Sequence, residues 1–346
     1  MNGDSILYIK EYPPGMGGVS REGEAVYNKL TSIGKQIDLL EVDVSKNKSM
    51  NVAMATFAII RKAGKYRKVF YALDSKRTAF LLRMQKIFAK KTLKSTIAII
   101  PAFSAKQLLI DAPYFEGGIL KDIQCIWVET ESLKQQVSRF CGKVEVFPNA
   151  RSIGNGVEPI VFNDGDVLHL LYYSLLSKGK GLYDTMEIVE QLNKNGRIKF
   201  EIDFYGNFEN EDTKKDFEEF LRKNSNAHYL GFNDSSDIVE YYKRINKYDV
   251  MLFMTHWISE GIPGVCVDVK ASGVTIVAND HNVNRDVIIE KNKEGIIVPE
   301  DDIRAAVEAV ERLYNDSQLL NELKRGSYDS RKRYEIDSYQ KLYDEV

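Results

Sequence analysis

Two carboxylates flank a glycine-rich turn in the stretch Glu260–Gly273, EGIPGVCVDVKASG. Glu260 opens it, Gly261, Pro263 and Gly264 follow, and Asp268 stands eight residues after the first acid. An apolar run, Val250 to Met254, precedes the turn and reads as a buried strand; helical spacing begins at about Val265. A strand, a glycine turn and a helix N-terminus together make a site for a phosphate, because the N–H groups of the first helical turn lack intrahelical acceptors. The two acids could then accept hydroxyls of whatever the phosphate carries. A plain strand–loop–helix joint has the same local pattern, so the rest of the chain must decide.

The chain has 346 residues, 44% hydrophobic and 28% charged, which suits two ordinary globular domains. No apolar run approaches the roughly 18 residues of a membrane span. MNGDSILYIKEYPPG lacks the basic start and apolar core of a secretory signal, so a cytoplasmic setting is expected. Cys125, Cys141 and Cys266 are scattered among apolar neighbours and read as reduced structural thiols. His169, His228, His256 and His281 show no metal-ligand spacing, and no metal site is expected.

The net charge of −2 conceals an asymmetry. Residues 1–150 carry 23 basic against 14 acidic residues, and the remainder carries 25 against 36. Between Lys46 and Lys106 fifteen basic residues face one acid, Asp74. A surface of that sign suits a phosphate-bearing substrate, an anionic lipid or a nucleic acid. The basic residues lack an interleaved aromatic platform, which ranks nucleic acid below the others.

Strands and helices alternate along the whole chain. Ser5–Lys10 is a strand, and the loop EYPPGMGGVSRE leads to a helix over Val19–Ile33 ended by Gly34. Ile37–Val42 is the next strand, completing a β-loop-α-β unit. Glu41 and Asp43 lie where a ribose-binding acid would, but G-M-G-G-V-S is not G-x-G-x-x-G, so a nicotinamide dinucleotide is not expected. Helices are expected over Val52–Lys62 and Thr78–Lys91, with strands at Val69–Leu73, Thr96–Ile100, Gln124–Val128 and Val144–Phe147. In the second helix Phe80, Leu81, Met84, Ile87 and Phe88 share a face, read as core-facing, while Arg83, Lys86, Lys90 and Lys91 form a rim able to meet an anionic membrane.

A turn-rich stretch from Pro148 to about Asp166 is read as the linker. Strands follow at Val167–Tyr173, Lys199–Tyr205, Ala227–Leu230, Thr275–Ala278 and Gly295–Val298. Helices are expected over Leu182–Leu192, Asp212–Arg222, Ser236–Arg244 and Asp301–Tyr314. His169 is read as a core histidine of its strand. His256 and Trp257 are read as packing or cleft-lining groups. Alternation of this kind in both halves means two parallel-sheet domains, 1–150 and 160–329, with a helix over about 330–346 returning to the first.

Taken together, the motifs resemble the retaining glycosyltransferases of family 4. EGIPGVCVD resembles that family's E-x7-E signature, and KASGVTIVANDHNVNRDVI its sequel. LLSKGKG resembles the lysine loop, YPPGMGGVSR the N-terminal glycine loop, and WVETESLKQQV with VEVFPNAR the end of the first domain in polysaccharide-assembling members. The resemblance implies an α/β fold of GT-B type, two Rossmann-like parallel-sheet domains facing an interdomain cleft. It also implies transfer of a sugar from a UDP- or GDP-linked donor to a saccharide or lipid-diphosphate-linked acceptor, without a metal or other cofactor. That setting would be surface-polysaccharide assembly, with the protein peripheral on the inner membrane face.

In that reading Lys180 and the helix N-terminus at Gly264 and Val265 neutralise the departing diphosphate. Glu260 holds sugar hydroxyls and Asp268 the ribose hydroxyls. The backbone of Gly261, Ile262, Pro263 and Gly264 approaches the sugar, and Gly17 and Gly18 let the facing loop close. Three departures stand out. The second acid is Asp268 where the family has Glu, Leu175 takes the place of an Arg, and the N-terminal half holds no His. Pro101–Ser104 occupies that last place, so no general base is assigned, and Lys106 and the vicinity of Ser104 stand as candidate contacts to donor or acceptor. Two rival readings share the architecture: a non-catalytic subunit that supports a partner transferase, and a nucleotide-sugar epimerase.

Overall fold

The computed structural model describes residues 5–12, 18–43, 56, 57, 59, 65–102, 104–153, 160–163, 165–233, 238–258 and 261–346. Most of the expected helix Val52–Lys62 lies outside them. The chain divides into two compact units, Met1–Ser152 with Arg333–Val346, and Ile153–Lys332.

In the first unit the described elements are β1 (Ile6–Tyr12), α1 (Gly18–Ser32), β2 (Ile37–Asp43), β3 (Lys68–Ala72), α2 (Ser75–Phe88), β4 (Thr96–Ile99), α3 (Ala105–Asp111), β5 (Cys125–Val128), α4 (Glu131–Val137) and β6 (Val144–Val146). The strands form one six-stranded sheet in the order β2-β1-β3-β4-β5-β6, with every pairing parallel. Strands such as TIAI and CIWV are buried along their whole length, as a sheet covered on both faces requires. β2 is the exception: at the edge, most of its residues reach solvent. One face packs under α2, α3 and α4. On the other, Tyr8 stacks on Phe70 at 4.9 Å between ring centroids, and Trp127 meets Phe70, Phe147 and Tyr343. Tyr343, Leu342 and Val346 come from the C-terminal segment, so the last residues of the chain complete this core. Cys125 and Cys141 are buried, and burial pushes both thiols up to about 12, which keeps them protonated and inert.

The face expected of the basic helix is corrected by the structure. Asp74 caps α2, accepting a hydrogen bond from the Arg77 amide at 2.8 Å, and starts the helix at Ser75. The buried side chains are Thr78, Ala79, Leu81, Leu82 and Gln85. Gln85 donates to Thr92 Oγ1 at 2.7 Å and Thr96 Oγ1 at 2.8 Å, and accepts from the Tyr71 hydroxyl at 2.9 Å. That satisfied polar group takes the place in the core that the apolar count assigned to Ile87 and Phe88, and those two are exposed at 60% and 56%.

α1 buries the carboxyl of Glu22, whose Oε1 has no hydrogen-bond partner. Burial first, then the charge of Glu129, holds its pKa well above the usual carboxylate range, against the opposing pull of Arg151. The folded state thus keeps a proton that the unfolded chain releases above about pH 4.3. Stability from this group is present below that pH and falls as pH rises through the folded pKa. Glu22→Gln should therefore raise stability at pH 8 by about 1–3 kcal/mol, the usual cost of a poorly satisfied buried polar group. The gain should shrink toward pH 4 in urea titrations; a difference that grows on acidification would refute the assignment.

The second unit contains β7 (Leu168–Tyr173), α5 (Leu182–Asn195), β8 (Phe200–Tyr205), α6 (Glu211–Lys223), β9 (Ala227–Gly231), α7 (Ile238–Asn246), β10 (Val250–Phe253), α8 (Gly264–Ala271), β11 (Thr275–Asn279), α9 (Asn284–Val287), β12 (Gly295–Val298), α10 (Ile303–Asn315) and α11 (Ser317–Ser330). Its sheet runs β12-β11-β10-β7-β8-β9, again all parallel. The order reverses between β7 and β10. Two buried ion pairs tie helices to this sheet region: Lys270 of α8 with Glu294 at 2.6 Å, and Lys324 of α11 with Asp249 at 2.9 Å. Asp249 also accepts from the His169 amide at 3.0 Å. The His169 side chain itself is exposed, which corrects its reading as a core histidine: Leu171 and Tyr173 on the same sheet face are buried, but the row that His169 shares with exposed Glu201 at the start of the strands is left uncovered. The short segment after α11 leads through α12 (Gln340–Asp344) of the first unit.

Candidate functional site

In an open parallel sheet, ligands bind beyond the carboxyl ends of the strands where the strand order reverses. In the second unit that point lies between β7 and β10, where the segments leaving these two strands begin. The segment after β7 is a loop that closes in a 3-10 turn, Lys178–Lys180, before α5. Ser177 Oγ accepts from the Lys180 amide at 3.3 Å, and the Tyr172 hydroxyl donates to the carbonyls of Leu175 at 2.8 Å and Lys180 at 3.2 Å. The turn is therefore fixed from the strand beneath it.

The segment after β10 lies directly against this turn. The His256 amide donates to Gly179 O at 2.9 Å. Gly181 has φ +73°, and a Cβ there would lie 1.9 Å from Met254 O. At Gly179 a Cβ would come within 2.9 Å of the Trp257 ring. The glycines of the lysine loop are thus places where two backbones touch. Lys180 Nζ lies over the Trp257 ring, 4.9 Å from its centroid. His256 Nε2 is 2.6 Å from Asp184 Oδ2 in the first turn of α5, and His281 Nδ1 is 2.7 Å from Glu300 Oε1. Among the described residues no group of His, Cys, Asp and Glu is placed to hold a metal ion.

Helix α8 starts at Gly264 with Pro263 as its N-cap. Pro263 O accepts from the amides of Cys266 at 3.0 Å and Val267 at 3.3 Å. The amides of Gly264 and Val265 precede those first helical bonds and face out of the turn, where the positive end of the helix lies. Both residues are half-buried, as is Gly261, while Ile262 and Pro263 are buried. Asp268 is 3% exposed on the next turn. Its Oδ2 accepts from the Tyr241 hydroxyl at 2.7 Å, which in turn accepts from the Tyr173 hydroxyl at 2.8 Å. Burial, then the Asp268 charge, keeps the Tyr241 phenol well above its ordinary pKa, so it remains a donor.

The structure therefore brings Lys180, Gly261, Ile262, Pro263, Gly264, Val265 and Asp268 to the ends of β7 and β10. Gly18 opens α1 in the first unit, where a Cβ would make only an ordinary contact with Asn149 at 3.8 Å. Gly17 and Glu260 lie outside the described residues. Ser104 is occupied as the cap of α3, accepting from the Gln107 amide, and Lys106 is exposed in the first turn of that helix. The tyrosine pair behind Asp268 and the Asp184–His256 bond have no local sequence signal; only the order of strands, which places β7 beside β10, would have found them.

Residues 159–330 match the family model for "Glycosyl transferases group 1". The second unit carries a group 1 glycosyltransferase domain. A capsular polysaccharide biosynthesis glycosyltransferase, CapM, of Staphylococcus aureus is 25% identical over 176 residues, 51% of this chain and 43% of that protein. The chain spans less than half the length of the curated relatives it matches. Among solved structures, a glycosyltransferase from Rickettsia africae superimposes with a TM-score of 0.75 at 14% identity, covering 100% of this chain and 99% of that one. HepE of Anabaena, solved with UDP, gives 0.71 at 12% identity, with 98% of each chain covered. The fold is that of the GT-B glycosyltransferases, and the segments around Lys180 and α8 all belong to the group 1 domain.

Proposed function

We propose that the protein transfers a sugar from a nucleotide-diphosphate donor to a saccharide acceptor, with retention at the reacting carbon. The observation that carries this reading is the meeting of the Lys180 turn with the segment leading into α8, inside the group 1 domain. A lysine cation and the outward amides of Gly264 and Val265 form a positive site for a diphosphate. They stabilise the negative charge that develops as the nucleoside diphosphate leaves. No step then calls for a metal ion. Asp268, held by Tyr241, is assigned to the ribose hydroxyls, and Glu260 to hydroxyls of the donor sugar. CapM's role in capsular polysaccharide biosynthesis supports a polysaccharide or lipid-linked saccharide acceptor, and the UDP complex of HepE supports a UDP-linked donor.

The test is release of nucleoside diphosphate across a panel of UDP- and GDP-sugars with saccharide acceptors. Turnover by the intact protein, and its loss in Glu260→Ala, is the expected result. Folded protein that releases nothing from any donor would refute the reading. Conversion of a lone nucleotide sugar without an acceptor would favour an epimerase instead.

A further inference from the structure

Two histidines at the carboxyl ends of the second unit's strands take no part in the chemistry proposed above. His256 follows β10 and His281 follows β11, and their ring centroids are 6.1 Å apart. Both are tied to carboxylates. His256 Nε2 is 2.6 Å from Asp184 Oδ2, and its Nδ1 faces Glu300 Oε1 at 3.8 Å and Asp301 Oδ1 at 4.0 Å. Glu300 Oε1 is also 2.7 Å from His281 Nδ1. Asp184 belongs to α5, which follows β7, whereas Glu300 and Asp301 follow β12. The strands β12, β11, β10 and β7 are neighbours in that order. One polar cluster therefore joins the ends of four adjacent strands.

The place of His256 in this cluster gives it leverage on Lys180. Its backbone amide donates to Gly179 O at 2.9 Å, one residue before the lysine. Its imidazole reaches Asp184, four residues after the lysine. A single residue thus holds the chain on both sides of Lys180. The next residue, Trp257, carries the ring beneath the Lys180 ammonium, and its carbonyl accepts from Asn282 Nδ2 at 2.7 Å. Packing alone does not account for the imidazole. Its side chain is 30% exposed, and its two nitrogens face carboxylate oxygens from two different elements. A solvated surface ion pair contributes little, but this one is half-buried and is one link of a network in which each group fixes the next.

From this we infer that His256 is a positioning residue. Bonded to Asp184 and backed by Glu300 and His281, it fixes the Lys180 turn, so that the ammonium meets the diphosphate of the donor in one place. Fixing of the turn stands on these contacts alone. Its effect on donor affinity rests on the glycosyl-transfer reading.

The experiment compares His256→Ala, His256→Gln and Asp184→Ala in the full chain, first by hydrogen exchange without any nucleotide. In both alanine variants, peptides covering 177–186 should exchange about ten-fold faster, the weight of one hydrogen bond to a charged group, while those of α6 keep their rate. UDP and GDP titrations then read the consequence. Both alanine variants should lose about ten-fold in affinity for whichever nucleotide binds, because the same bond is lost. His256→Gln keeps an amide donor for Asp184 and should recover part of the loss. In a Lys180→Ala background His256→Ala should cost no further affinity, since the histidine acts through the lysine. A merely structural role would instead add its loss to that of Lys180→Ala and speed exchange throughout the second unit. Unchanged exchange over 177–186 overturns the inference, and so do additive losses of nucleotide affinity. Faster exchange there in a protein that binds neither UDP nor GDP supports the fixed turn and refutes the glycosyl-transfer reading instead.

Discussion

Lys180→Ala should lower kcat/KM for the nucleotide-sugar donor about 10²- to 10³-fold, a loss of about 2.7–4 kcal/mol of transition-state stabilisation. The size follows from what the side chain is held to do. Its backbone is fixed by Ser177 and by Tyr172 from the strand below, so the cation is delivered to one place rather than sampled from solvent. The outward amides of α8 supply only partial charges, and Leu175, at the place where the resemblance leads one to look for an arginine, supplies none. Removing the lysine therefore takes away the one full positive charge that the proposed reading assigns to the diphosphate. Stability should change little, because Lys180 is half-exposed and its contact with Trp257 contributes about 0.5–1 kcal/mol. Trp257→Phe keeps a ring beneath the cation and should leave kcat/KM within a few-fold. Lys180→Arg keeps the charge and should recover part of the loss. A Lys180→Ala enzyme with unchanged kcat/KM, or one whose loss is matched by an equal fall in melting temperature and by Trp257→Ala, would assign the lysine to packing alone. UDP-induced thermal stabilisation gives a second reading, since a ligand that binds the native state raises its melting point and this variant should lose that gain.

The parallel α/β architecture was legible because buried strands of such sheets read as short continuous apolar runs. Val250–Met254 and Ile97–Ile100 need no partner to be recognised. Local chemistry such as Thr130 capping α4, or Gly196 ending α5, was equally open to reading, since caps are decided within a turn. What failed were judgements of direction. Counting apolar residues on α2 assigned Ile87 and Phe88 to the core, although the core position belonged to Gln85, whose partners Tyr71, Thr92 and Thr96 are brought in by β3 and the segment before β4. His169 is exposed because the start of its sheet face is uncovered, although Leu171 and Tyr173 further along that face are buried. At the candidate site the turn around Lys180 and the helix after Pro263 could each be found separately. Their contact could not, because Gly181 and Met254 are brought together only by the adjacency of β7 and β10 in the sheet. The Tyr173–Tyr241–Asp268 chain draws on three separate elements and leaves no spacing to recognise.

Gly181→Ala should destabilise the second unit by about 3 kcal/mol or more, while Gly196→Ala, at the other end of the same helix, should cost only about 1 kcal/mol. Both glycines are left-handed, with φ +73° and +59°, so an alanine at either pays the same kind of backbone strain. They differ in what the new methyl group meets. Around Gly196 nothing lies within 4 Å. At Gly181 the Cβ would fall 1.9 Å from the carbonyl oxygen of Met254 and 2.8 Å from its Cβ. Neither neighbour can rotate away, because the carbonyl belongs to the backbone leaving β10 and is held by the next residues' bonds to Gly179. Relief requires the Lys180 turn to separate from the Met254–Trp257 segment, which breaks the His256–Gly179 bond and tilts the start of α5. The same movement displaces Lys180 from its place over Trp257, so nucleotide affinity should fall in the fraction that remains folded. Urea midpoints for the two variants measure the first claim and UDP titrations at low temperature the second. Equal destabilisation by the two alanines would mean that φ alone governs both positions and that the close approach at Gly181 is not what holds the site together.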